Sequence, residues 1–443
     1  MRSETVHECS KCGGQFPKWH GRCPDCGGWG TVNQTAQALT PISAAAVPAG
    51  KVVAFSSISI AKAQRITTGI EEVDRVLGGG LIAGSLILLG GEPGIGKSTL
   101  VAQIAQRISG KVLYVSGEES APQLKDRLDR LAINATNLDF LGEVAISTIV
   151  ATIVQQKPTV AIIDSIQTMY DPAFPSGAGS INQVRICTVK LLEVAKRHGI
   201  TIVIVGHVTK SGEVAGPKTL EHLVDCVLYL EGDRTHGFRI LRSAKNRFGS
   251  VDEVGVFEMQ QQGLVEVKNP TAAFLSDIIS DAAGTVIAPA LEGSRIFLLE
   301  IQALVSPSHI GYPQRKSYGV DANRLQLITA VLSRRLNAKL ADKDIFVNVI
   351  GGMKINEPAL DLAVASAILS AASDKPISRQ TVVIGEVGLT GEIRPVGQLE
   401  KRLSEAEKLG FRKAIVPITK HISAKKIAVE QVHSLKQLQQ LLG

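Results

Sequence analysis

The sequence predicts a multidomain α/β protein, and three features carry that reading. Short β-branched apolar runs alternate with amphipathic stretches between residues 85 and 260. A glycine-rich segment joins one such run to the amphipathic stretch that follows it. Four cysteines in two C-x-x-C pairs stand apart near the start of the chain. Strands alternating with helices imply a mostly parallel sheet flanked by helices. The 443 residues suffice for two or three domains, and 44% hydrophobic with 20% charged residues is ordinary for a soluble globular chain.

Strands are expected at 85–90, 111–116, 159–164, 201–206 and 224–231, with helices at 98–107 and 184–196. Runs at 239–244 and 253–259 have no helix between them and read as an antiparallel extension. A further α/β domain follows, with strands at 295–305, 345–350, 381–386 and 412–417 and helices at 323–340, 359–372 and 399–409. Four segments result. Residues 1–30 form a cysteine-rich module. Residues 31–65, rich in Ala, Ser and Thr and poor in charge, form a linker. Residues 66–269 form the nucleotide-binding domain and 270–443 the last domain. No stretch reaches the roughly 18 apolar residues of a membrane span, so no membrane partner is expected.

Gly91-Glu92-Pro93-Gly94-Ile95-Gly96-Lys97-Ser98 fits G-x-x-x-x-G-K-[ST] without a mismatch, and Thr99 follows it. An apolar strand precedes the loop and a helical pattern succeeds it, the context in which backbone amides and a helix N-terminus hold phosphate. ATP is the expected ligand. Lys97 reaches its β/γ-phosphates and Ser98 ligates magnesium. Asp164, ending the apolar run 159–164, supplies the second acidic position for that metal. Glu118 and Glu119 follow the strand at 111–116, and either can activate water. His207, at the end of the strand at 201–206, is a candidate γ-phosphate sensor.

Cys9-x2-Cys12 and Cys23-x2-Cys26 are separated by ten residues, and glycines at 13, 14, 27 and 28 follow the pairs. That spacing suits one tetrahedral zinc held by four thiolates, a closed and therefore structural site. Trp19 and Trp29 are expected to pack its small core, the alternatives being to cover the metal or to stack on a base or partner. The other two cysteines, Cys187 and Cys226, stand alone in apolar runs. No apolar leader follows Met1, and this cysteine usage fits a reduced, cytoplasmic compartment. The formal net charge of +7 permits a polyanionic partner.

The order of four-cysteine module, phosphate loop and then Lys245-Asn246-Arg247-Phe248-Gly249 resembles the bacterial RadA (Sms) family. In that family K-N-R-F-G is the signature distinguishing it among RecA-like ATPases. The resemblance spans essentially the whole chain. It implies a RecA-like P-loop ATPase core, single-stranded and branched DNA as ligands, a homo-hexameric ring, and branch migration alongside RecA recombinase in repair. Lys245 and Arg247 match the signature's basic positions and would contact nucleotide, in cis or in trans, or DNA. Residues 210–218 match the loop that lines the DNA channel in RecA-like proteins, with 171–180 as its companion. Lys210, Lys218 and Arg185 would then contact phosphates, giving salt-sensitive, sequence-independent binding.

The last domain resembles the proteolytic domain of Lon proteases, whose serine nucleophile lies in G-P-S-A-G and whose lysine base ends P-[IV]-G-G-L-K. The matching stretches here are Glu357-Pro358-Ala359-Leu360-Asp361 and Pro395-Val396-Gly397-Gln398-Leu399-Glu400. Ala359 replaces the nucleophile and Glu400 the base. Lys401 is one residue on, about 100° around a helix. No peptidase activity is expected. Ring assembly and DNA contact remain, with Arg315, Lys316, Arg324, Arg334 and Arg335 as a basic patch. The alternatives to a DNA motor are an ATP-dependent protease and a RecA-like signalling ATPase, the latter on the adjacent Glu118 and Glu119.

Overall fold

The computed structural model describes residues 6–16, 18–35, 65–207, 220–232, 237–269, 275, 281–308, 312–350, 357–420, 422 and 426–442. Lys210 and Lys218 lie outside the described residues, as does most of the linker. The chain divides into two compact bodies. One comprises Met1–Gly69, Gly80–Pro93 and Val101–Val227, and the other Ile70–Gly79, Gly94–Leu100 and Leu228–Gly443.

The first body opens with a three-stranded antiparallel sheet in the order β2-β1-β3, from β1 (Val6–Cys9), β2 (Gln15–Phe16) and β3 (Val32–Thr35). The strand β4 (Arg65–Ile66) comes next, then α1 (Glu71–Leu77) of the second body, then β5 (Leu81–Ile82), which pairs with β4. The parallel sheet uses β6 (Leu86–Gly91), β7 (Val112–Ser116), β8 (Leu138–Leu141), β9 (Val160–Asp164) and β10 (Thr201–Val205), in the order β6-β10-β9-β7-β8. Every residue of β6, β7, β9 and β10 is buried, as in a parallel sheet covered on both faces. The helices along it are α2 (Lys97–Arg107), α3 (Ala121–Arg130), α4 (Ile146–Gln156) and α5 (Ile181–His198). The chain crosses between the bodies within α2.

Register sets the site. Ser116 of β7 lies opposite Asp164 of β9, and Ile163 of β9 opposite Ile204 of β10. The carboxyl ends of three adjacent strands therefore come level, where α/β sheets place ligands.

In the second body, β11 (Cys226–Glu231, entering from the first), β12 (Phe238–Asn246), β13 (Val254–Gln260) and β14 (Gly263–Glu266) follow one another as neighbours. The expected antiparallel extension is present: β12 pairs antiparallel with β13, and β13 with β14. A seven-stranded sheet follows in the order β17-β18-β16-β15-β19-β22-β23. It is built from β15 (Thr285–Glu292), β16 (Arg295–Pro307), β17 (Arg315–Tyr318), β18 (Lys343–Val349), β19 (Thr381–Val383), β22 (Lys413–Pro417) and β23 (Ala428–Val432). The small pair β20 (Glu386–Val387) and β21 (Ile393–Arg394) stands apart. Helices α6 (Ala322–Leu336), α7 (Asp361–Ser373), α8 (Leu399–Lys408) and α9 (Leu435–Leu442) complete the body.

Part of the antiparallel extension shares a core with the seven-stranded sheet. Ile240, Val254 and Val256 pack in one cluster with Val286, Phe297 and Leu299 of the seven-stranded sheet. At their junction, Glu72 of α1 pairs bidentately with Arg295 at 2.6 and 2.8 Å and accepts the Val256 amide at 2.9 Å. No helix among the described residues is long and apolar enough to cross a membrane.

Candidate nucleotide site and metal centre

The phosphate loop leaves β6 at Gly91 and enters α2 at Lys97. Gly94 and Gly96 hold φ of 76° and 114°, a region that favours glycine. A Cβ on Gly96 would also lie 2.7 Å from the Met259 methyl. Glu92, Pro93 and Gly94 are exposed, Ile95 and Lys97 are buried, and Ser98 and Thr99 are half-buried in the first turn of α2. Buried Arg239 of β12 donates Nε–H to the Ile95 carbonyl at 3.2 Å, fixing the loop from below.

Asp164 is buried at the end of β9. Its Oδ2 accepts the Tyr114 hydroxyl at 2.5 Å, and that phenol oxygen accepts Arg127 Nη2–H at 3.0 Å. Burial, and then the Asp164 charge, hold the Tyr114 phenol well above its ordinary pKa, so it stays a donor at neutral pH. Asp164 Oδ1 is buried with no hydrogen-bond partner among the described residues. A buried carboxylate oxygen left open in this way fits a cation.

The two glutamates part company. Glu118 Oε1 accepts the Ser165 hydroxyl at 2.5 Å and lies 3.1 Å from His207 Nε2. Glu119 instead pairs with Arg127 Nη1 at 2.9 Å, and burial raises its pKa against the pull of that arginine. Both backbone amides are held by Ser116 Oγ, at 3.3 and 2.9 Å. Glu118, Ser165 and His207 thus form one polar cluster at the three level strand ends. Tyr114, Arg127, Glu119 and Asp164 form a second.

The four N-terminal thiols face one centre, with all Sγ atoms within 4.8 Å of one another. Cys9 and Cys26 Sγ are 3.7 Å apart and Cys12 and Cys23 Sγ 3.5 Å. A tetrahedron with Zn–S bonds of about 2.3 Å has edges near 3.8 Å, so the donors fit zinc and are too far apart for disulfides. The knuckles close through Gly13 N–H to the Cys9 carbonyl and Gly27 N–H to the Cys23 carbonyl, at 2.7 and 2.9 Å. The Thr31 hydroxyl beside Cys9 lowers that thiol to about 6, whereas burial raises the Cys12 thiol to about 12. Trp19 and Trp29 do not pack this core: they are 61% and 77% exposed. The cluster of Cys9, Cys23 and Val32 fills it instead, with Cys12, Phe16 and Cys26 against it.

Family models match three segments: an AAA domain at residues 54–213, the ChlI subunit of Mg-chelatase at 320–420, and a rubredoxin metal-binding domain at 7–34. The DNA repair protein RadA of Bacillus subtilis is 47% identical over 425 residues, covering 94% of this chain and 93% of the relative. The RadA proteins of Halalkalibacterium halodurans and Pseudomonas aeruginosa are 46% and 44% identical, each covering 94% of the chain and 93% of the relative. This chain belongs to the RadA family. It carries the family's parts: a RecA-like ATPase core, a four-cysteine zinc module and a Lon-like C-terminal α/β domain. The RadB recombinase structure covers 46% of the chain at 22% identity, with a TM-score of 0.37 that adds nothing to this assignment.

Within this RadA-family chain the K-N-R-F-G signature begins on the last two residues of β12. Asn246 Nδ2 reaches the Val76 and Leu77 carbonyls at 3.4 and 3.3 Å, and its Oδ1 accepts the Phe248 amide at 2.9 Å. Asn246 therefore shapes the turn, while Arg247 projects into an exposed position and Lys245 is half-buried. Gln183, fully buried in α5, anchors the loop beginning at 171. Its Nε2 donates to the Asp171, Phe174 and Ser176 carbonyls at 3.1, 3.1 and 2.9 Å, and its Oε1 accepts the Asp171 amide at 2.7 Å. Arg185, two residues further on, is exposed.

The stretches matched to Lon proteases are built for stability. Ala359 is buried. Arg402, 1% exposed, pairs with Glu357 and donates to the Pro289 and Gly397 carbonyls at 2.7 and 3.0 Å. Glu400 is exposed, and Lys401, turned away from it, donates to the Ser294 carbonyl. Within the expected basic patch, Arg324 is held bidentately by buried Asp361, whereas Arg334 and Arg335 are exposed, Arg335 donating to the Leu389 carbonyl at 3.3 Å. Arg315 and Lys316 lie on the edge strand β17 and point to opposite faces, Lys316 exposed.

Tyr114, Arg127, Gln183, Arg239 and Arg402 carry these arrangements and none belongs to a motif. A polar residue inside an otherwise apolar strand, as Tyr114 is, was the signal available in the sequence.

Proposed function

We propose that this chain is an ATP-driven DNA motor that binds single-stranded and branched DNA and promotes branch migration of recombination intermediates. The observation that carries the reading is the open Asp164 Oδ1, in a chain that also bears a complete phosphate loop and the RadA signature pentapeptide. Backbone amides of 92–96 and the Lys97 ammonium hold the ATP phosphates. Ser98 and Asp164 hold magnesium, which supplies charge neutralisation to the transferred phosphoryl group. Glu118, poised by Ser165 and His207, orients the attacking water and takes its proton. Glu119 is committed to Arg127. His207 contacts Glu118 and precedes Lys210 by three residues and Lys218 by eleven, so the state of the nucleotide reaches the DNA loop along one short segment.

Lys245 and Arg247 contact nucleotide, in cis or in trans across a homo-hexameric ring, or DNA, and RecA recombinase is the partner during strand transfer. Arg185, Lys210, Lys218, Arg315 and Lys316 contact DNA phosphates. Zinc is structural. The functional divisions are 1–30, 31–65, 66–269 and 270–443, and the setting is the cytoplasm. Peptide hydrolysis has no support at Ala359 and Glu400.

The test is ATP hydrolysis by purified protein with and without single-stranded DNA. Stimulation that declines steeply with added salt is expected. A hydrolysis rate indifferent to DNA at every salt concentration contradicts the reading.

A further inference from the structure

The sequence has two tryptophans, and both stand on the surface of the zinc module. An indole 61% or 77% exposed contributes little to a core, and the module's own core is complete without either. The two belong to one small surface. The Trp19 ring packs along Gly21, where a Cβ would stand 3.3 Å from it. Arg22 pairs across a β-bridge with Trp29 and sets its guanidinium 5.9 Å from that ring's centroid. The Lys11 stem lies against Gly28, next in sequence to Trp29.

Charge decides what such a surface takes. Among the described residues of the module, the fully exposed charged side chains are Lys11, Lys18, Arg22 and the single acid Asp25. The exposed neighbours Ser10, His20 and Pro24 offer no apolar groove for a protein's anchor residue. Flat aromatic faces flanked by cations match unpaired bases with their phosphates, and duplex DNA keeps its base faces covered.

Position agrees. Asn182 Nδ2 donates to the Cys12 carbonyl at 3.2 Å, so the first knuckle seats on the opening turn of α5. The next residue, Gln183, anchors the loop beginning at 171, and Arg185 follows. One helical turn thus carries the zinc module and a segment assigned to DNA.

We propose that the zinc module is a base-stacking site for single-stranded DNA, with Trp19 and Trp29 as the stacking faces and Lys11, Lys18 and Arg22 as phosphate contacts. The proposal rests on the single-stranded DNA binding put forward above and adds the place where bases are gripped.

Because both tryptophans lie here, the intrinsic tryptophan emission of the full-length, zinc-loaded protein reports on this surface alone. It is titrated with a dT oligomer, while the anisotropy of a labelled dT oligomer measures binding independently. The same two readings are taken on Trp19→Ala and Trp29→Ala, and anisotropy on the double variant, with zinc content measured to confirm the module is intact. Quenching in step with binding is expected, with affinity for dT about tenfold weaker in the double variant and affinity for duplex unchanged. If dT binds but emission stays constant, or if the zinc-loaded double variant binds dT as tightly as the native protein, the stacking site is refuted and the DNA motor stands. If native protein binds no dT oligomer in any nucleotide state, the motor reading falls as well.

Discussion

The Tyr114 hydroxyl donates to Asp164 Oδ2 at 2.5 Å, and this bond leaves Oδ1 as the carboxylate oxygen open to a cation. Tyr114 lies on β7, one strand over from Asp164, and Arg127 of α3 holds the phenol from its other side at 3.0 Å. Tyr114 is a positioning residue: it acts through Asp164. Tyr114→Phe removes the hydroxyl with little change in volume and leaves a buried acceptor unpaired, costing roughly 1–3 kcal/mol of stability. The expected kinetic mark is a raised magnesium requirement for ATP hydrolysis, with the rate recovering towards native at high magnesium. A rate lowered equally at every magnesium concentration argues against positioning.

The glutamates separate in the same way. Glu118 touches Ser165 and His207, whereas Glu119 is tied to Arg127. Glu118→Gln is expected to lower hydrolysis by about a hundredfold or more while nucleotide still binds. Glu119→Gln keeps an uncharged partner for Arg127 and is expected to lower it less than tenfold. Single-turnover hydrolysis with a fluorescent nucleotide to measure binding checks both, and the reverse order would reassign the roles.

Asp171 fixes the loop near the zinc module through Lys190, whose hydrogen bond holds its carboxyl below the ordinary 3.8. A carboxyl with a depressed folded-state pKa stabilises the fold above its unfolded pKa and loses that contribution as pH falls through the folded one. The thermal midpoint of Asp171→Asn is therefore expected below the native one by a constant margin from neutral pH to about 5, and the margin narrows below about 4. A margin that widens on acidification contradicts this account.

Among the described residues Arg402 is the largest fully buried side chain, and it spans Glu357 and the Pro289 carbonyl. Arg402→Ala leaves Glu357 without its charge partner, and the expected loss is about 3–5 kcal/mol. Denaturant unfolding of the C-terminal domain measures it. A variant as stable as native would show that the pair contributes nothing net.

Much of this could be read from the chain because the motifs sit where local chemistry dictates them. The glycines of 91–96 and the paired cysteines allow few alternatives, and β6, β7, β9 and β10 are apolar runs buried on both faces. The strand β15 escaped notice because Pro289 interrupts it. A proline is tolerated there because the pairing of β15 with β19 is confined to Ile287 and Val382, leaving the Pro289 nitrogen no partner to miss. The helix at 323–340 was read too long: Asn337 adopts φ of 53° and caps α6 at Leu336. The choice between Glu118 and Glu119 could not be made from adjacency. It depends on strand order, which sets Ser165 and His207 beside one and leaves Arg127 for the other. The tryptophans misled for a related reason. Aromatic residues near a metal knuckle read as its core, and only their exposure shows that the cysteines, Phe16 and Val32 already fill it.

The central claim is that the phosphate loop powers movement along DNA. Branch migration on a three-stranded junction, with ATP, comparing native protein with Lys97→Ala, tests it most directly. The account predicts that native protein extends the junction and the variant does not. If neither extends it while native protein still hydrolyses ATP on addition of single-stranded DNA, the chain is a DNA-gated switch, and the motor is contradicted.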